Sequence, residues 1–124
     1  MRNITFLPII SCAALVACGQ ASAKTPDPQN DLHCHVLNFY YMGVAKQNGT
    51  DDQQRSFKVM HQWYSAKMHE RMEQLNKSME EVLAPGEQLL DAVKRNPASM
   101  MDTSLACAKR STQDPSFDGF VRAL

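Results

Sequence analysis

The chain reads as all-α: a small four-helix domain of the helical-bundle kind, built on one long central helix and closed by one disulfide. Three observations lead there. The stretch from Thr50 to Ala84 keeps a single helical period over its whole length. No segment shows the alternation of apolar and polar residues or the turn dipeptides of a β-hairpin, and no internal repeat occurs. Two cysteines, Cys34 and Cys107, sit on apolar faces of the first and last of the main predicted helices.

The central helix has a written beginning. Thr50-Asp51-Asp52-Gln53 matches the capping box, in which the Thr hydroxyl accepts from an orphan N–H and the Gln side chain reaches back. At about 100° per residue, Phe57, Met60, Tyr64, Met68, Met72 and Val82 share one broad stripe, while Arg55, Glu70, Glu73 and Glu80 fall outside it. Val59, Trp63 and Ala66 form a short second stripe, so the first half of this helix is expected to be contacted from two sides. Pro85-Gly86 is the expected stop.

Asn30 or Asp31 starts the first helix, which is predicted to reach about Gln47 and end at Asn48-Gly49. Its strong face carries Cys34, Leu37, Tyr41, Val44 and Ala45, and Leu32, Val36 and Phe39 project from the other side. A helix that is apolar nearly all round is covered on both faces or meets a partner. The phenylalanines of the C-terminal segment, Phe117 and Phe120, with Val121, are the expected cover.

Glu87 to Arg95 reads as a third helix, acidic at its start and basic at its end as the helix dipole favours. Asn96-Pro97 restarts the pattern with Asn as N-cap and Pro at the first helical position. The fourth helix is predicted to run to about Arg110 and to bury Met100, Met101, Leu105 and Cys107. After a break at Ser111 to Pro115, a short helical turn folds back on the core. A Cys34–Cys107 bond would pin the first helix to the fourth across a separation of 73 residues. In the chain-entropy account such a loop is stabilised by about 4 kcal/mol.

The N-terminus directs the chain out of the cytoplasm. Residues 1–17 contain Arg2 and then an apolar run interrupted by Pro8, too short to span a bilayer and shaped like a secretory signal peptide. Leu15-Val16-Ala17-Cys18 resembles a bacterial lipobox, which makes Cys18 the expected lipidation site. Ala21-Ser22-Ala23 offers ordinary cleavage instead, extending the signal peptide to residue 23. Residues 18–30 are small, polar and proline-containing, as suits a flexible tether, and residues 31–124 form the single helical domain. The expected location is the periplasm or the outer membrane, with the lipid as the sole membrane contact. Export removes Cys12 and commits Cys18, so two cysteines remain for an oxidising compartment.

The 13 basic and 13 acidic residues of the 124 balance, which argues against a nucleic-acid partner. Dinucleotide, P-loop, nucleophile-elbow and zinc-protease motifs are absent from the sequence, and no enzyme activity or cofactor is expected. His33, His35, His61, His69 and Met72 are borderline or soft donors of the kind copper and zinc take. Their spacing is poor for it: His33 and His35 point about 200° apart on a helix, and Met72 belongs to the core stripe. His61 lies within the apolar stripe and is read as a core histidine.

The function class that remains is a non-catalytic envelope binding or interaction domain. Leu32, Val36, Phe39 and Trp63 are its candidate contacts, with a protein partner or a second copy meeting the first helix. A periplasmic protein of the acid-stress chaperone type is the alternative, and a periplasmic copper or zinc binder the second.

Overall fold

The computed structural model describes residues 26–124. The signal segment, Cys12, Cys18 with its lipobox, and residues 18–25 of the tether lie outside them. The described chain is helical, with no strand among its residues. It runs through α1 (Asp31–Asn48), α2 (Asp51–Leu75), α3 (Met79–Leu83), a 3-10 turn at Ala84–Gly86, α4 (Glu87–Arg95), a second 3-10 turn at Ala98–Met100, α5 (Met101–Thr112) and α6 (Phe117–Ala123). No described helix is long and apolar enough to cross a membrane.

The starts of the two long helices are those the sequence predicts. The Asn30 side chain accepts from the N–H groups of Leu32 and His33 at 2.9 and 3.3 Å. Thr50 and Gln53 form both halves of the capping box. The chain is already ordered just before α1, where the Asp27 N–H donates to His33 Nδ1 at 2.8 Å.

The central helix is shorter than its period suggests. It ends at Leu75, not Ala84, because Asn76 takes the left-handed conformation (φ 51°, ψ 47°). The amides of Asn76 and Lys77 turn back to the carbonyls of Glu73 and Met72 and satisfy the last orphan acceptors. Two residues on, Ser78 caps α3 by accepting from the Glu81 N–H at 3.2 Å. Asn tolerates the left-handed region and Ser favours the N-cap, so three residues stop one helix and start another.

That break brings Val82 into the core and delivers the turn Ala84–Gly86 to the outer side of α1. A Cβ on Gly86 would stand 2.8 Å from Val36 Cγ2 and 3.3 Å from Leu32 Cδ1. Gly86 therefore serves close approach here and does not end a helix, since α4 follows directly. This turn covers Val36 and Leu32. Phe117 and Phe120 instead pack edge-on against Trp63, with centroids 5.2 and 5.3 Å away, which corrects the expectation that the C-terminal segment covers α1.

The core joins Cys34, Leu37 and Tyr41 of α1, Trp63 and Tyr64 of α2, Leu89 and Val93 of α4, Met100, Cys107 and Phe117. Cys34 and Cys107 are bonded, with Cα atoms 5.6 Å apart. Beside the bond, Arg110 pairs with Asp31 at 2.6 Å, and the Tyr64 hydroxyl donates to the Cys107 carbonyl at 2.6 Å. The Tyr41 hydroxyl donates to the Pro97 carbonyl. The start of α1 is thus clamped to the end of α5 by a covalent and an ionic link.

Two apolar residues and one cap differ from expectation. Leu105 is 58% exposed, because α5 turns the short side chains of Ser104, Cys107 and Ser111 inward, Cys107 to Cys34 of α1 and Ser111 to Met60 of α2. Val44 is exposed while Asn38 is buried, its amide donating to the Cys34 carbonyl at 2.8 Å. The side chain of Asn96 caps no helix; Ser99 Oγ donates to its carbonyl at 2.9 Å to close the 3-10 turn.

Candidate functional site

Helices α1 and α4 lie side by side and run in the same direction, leaving an open groove along their outer faces. Its first section, a cleft of about 230 Å³, is walled by His35, Val36 and Phe39 of α1 and by Leu83, Gly86 and Leu90, with Glu87 at the rim. Phe39 and Leu90 continue into a second section of about 380 Å³ that reaches Gly43, Val44, Gln47 and Lys94. On α1 the groove follows residues 35, 39, 43 and 47, and on α4 residues 87, 90 and 94, the spacings of one helix face each. Phe39 stands between the sections and is 48% exposed.

Behind the first section lies a histidine pair. His35 of α1 and His61 of α2 have ring centroids 4.8 Å apart, and Phe39 caps His61 at 5.5 Å. His35 Nδ1 meets Ser65 Oγ at 3.4 Å. His61 Nδ1 is buried without a hydrogen-bond partner among the described residues. Burial, reinforced by the neighbouring His61, pushes the His35 imidazolium down to about 4 from the ordinary 6.5. Burial likewise lowers His61. Both rings are therefore neutral near pH 7, and acidification would place two charges in a half-buried seam between α1 and α2.

The residues singled out from sequence separate into those this region uses and those it does not. Val36 and Phe39 line the groove, whereas Leu32 lies under Gly86 and Trp63 is buried beneath α6. Of the candidate metal donors, the fold joins His35 to His61 alone. His33 is occupied by the Asp27 amide, His69 is exposed and Met72 is half-buried farther along α2. No group of three or more His, Cys, Asp or Glu side chains suited to an ion occurs among the described residues.

Sequence reasoning placed α1 at the site but missed α4 as its second wall. Leu83, Gly86, Leu90 and Lys94 reach it through the break at Asn76, which nothing in the apolar period signals. The His35–His61 pairing was missed as well. It is written only in the tertiary packing of α1 on α2, although His61 on an apolar stripe marked one member. No protein-family model, curated protein or solved structure matches the chain.

Proposed function

We propose that the chain is an exported bacterial envelope lipoprotein whose helical domain is a non-catalytic binding module, acting through the apolar groove between α1 and α4. The observation that carries this reading is Phe39, the most exposed aromatic ring among the described residues, standing in an apolar cleft walled by Val36, Leu83 and Leu90. A domain this small gains by burying such a ring, and leaving it open at a concave surface is the usual mark of a contact site. Export is supported by the signal segment, the lipobox at Cys18, the polar tether and the use of both remaining cysteines in a disulfide. The test is titration of the oxidised protein with anilinonaphthalene sulfonate. Saturable binding that Phe39→Ala and Leu90→Gln each abolish is expected, and absence of binding to the wild type overturns the reading.

A second reading, a periplasmic acid-stress protein, is favoured by the histidine pair. Protonation of His35 and His61 would force apart α1 and α2 and uncover the apolar surfaces between them. Suppression of an unrelated client's aggregation in acid, absent at neutral pH and lost on joint substitution of His35 and His61 by Gln, is the expected outcome. Equal protection by the substituted protein would rule that mechanism out.

A further inference from the structure

Resting on that reading of the groove as a binding surface, we propose that its occupant is a second copy of this chain. The two copies would be related by a two-fold axis crossing the groove near Leu90, with the α4 helices antiparallel and Glu87 of each copy meeting Lys94 of the other.

The outer stripe of α4 is Glu87, Leu90 and Lys94, an acid, an apolar centre and a base on one face. Turned about a two-fold axis, such a stripe is its own complement: the acidic end meets the basic end, and Leu90 meets its symmetry mate across the middle. A symmetric pair needs that order in a single surface. The wall supplied by α1 carries no opposing charge, running from His35 in the section with Glu87 to Gln47 in the section with Lys94. Its exposed Phe39 and Val44, 48% and 38% open, supply the apolar centre. Loss of Arg2 with the signal segment leaves the basic and acidic residues of the exported chain balanced to within one charge, too little to hold two copies apart.

Gly43 fits the same arrangement. Glycine inside a helix lowers its stability relative to alanine and permits close approach of another backbone. Gly43 has neither a positive φ nor any atom within 4 Å of where its Cβ would be. It lies on the groove one turn beyond Phe39. A bare stretch of backbone facing outward there admits a helix from another molecule to close contact, which the monomer itself does not use.

The experiment is sedimentation equilibrium of the oxidised, mature exported protein over a wide concentration range, with circular dichroism on every variant. A reversible monomer–dimer equilibrium is expected. Phe39→Asp should weaken it by about 30-fold or more, as for a central aromatic contact. Gly43→Leu should weaken it while leaving the helical signal intact. Glu87→Lys and Lys94→Glu should each weaken the dimer by several-fold, and the protein carrying both changes should recover it. A monomer at every concentration, a dimer indifferent to Phe39→Asp and Gly43→Leu, or a double charge exchange that fails to recover association overturns the proposal. A monomer that still binds anilinonaphthalene sulfonate in a Phe39-dependent way would refute the second copy and keep the binding groove. A monomer that binds no dye would refute both.

Discussion

Acidification should destabilise this domain from well above the range where carboxylates titrate, and His35 sets the start of the loss. Its folded-state value is held at about 4, below the 6.5 of an unfolded chain. A histidine depressed in this way contributes its full stability above pH 6.5, because both states are then neutral. As the pH falls below 6.5, the unfolded chain takes up the proton and the folded one resists, so stability drains away until about pH 4, where the folded ring also protonates. At pH 5 the difference comes to about 2 kcal/mol. The cleft beside His35 is open to solvent, and screening there brings the expected loss to about 1 to 2 kcal/mol. His61, lowered by burial, acts in the same direction. Asp114, held low by Ser116, contributes stability that is lost only as pH falls through its folded value, below this window. The assay is urea unfolding followed by the emission of Trp63, the single tryptophan of the chain, at pH 7 and pH 5. His35→Gln should flatten the pH dependence by about the amount stated. An identical loss of stability in the wild type and in His35→Gln would refute the assignment.

Joint replacement of Cys34 and Cys107 by Ser should lower stability by about 4 kcal/mol, read as a large fall in the thermal midpoint; a change of a degree or two would show that the fold does not rely on the bond. Deletion of Phe117 to Leu124 should remove the cover from Trp63 and shift its emission to the red, and unchanged emission would contradict the edge-on packing of Phe117 and Phe120. Asn76→Ala should cost about 1 kcal/mol by placing a Cβ without Asn's local hydrogen bonding in the left-handed region, while Asn76→Gly should not destabilise. If Ala and Gly behave alike at that position, the break between α2 and α3 has another cause.

The features legible in the sequence were those with local causes. Caps at Asn30 and Thr50, the charge order of Glu87 to Arg95 and the inward faces of Cys34 and Cys107 each follow from a few neighbouring residues and the helical period. The break at Asn76 was not legible, because Met72, Met79 and Val82 stay in phase across it and a period count runs straight through. Everything that depends on it followed suit: the covering of Val36 by Gly86, the second wall of the groove and the freeing of the C-terminal phenylalanines for Trp63. Leu105 was misread because a disulfide draws two helices together, and the close face then favours serine and cysteine over leucine. The histidine pair joins residues on two helices, and no spacing within either one announces it.

The central claim, that this is a disulfide-closed helical domain carried into the cell envelope on a lipid, is tested most directly by mass spectrometry of the protein recovered from the envelope without reduction. The account predicts a mature N-terminal peptide beginning at an acylated Cys18, together with a linked pair of peptides containing Cys34 and Cys107. An unmodified chain retaining Met1, a mature chain beginning at Lys24, or free thiols at both Cys34 and Cys107 would contradict it.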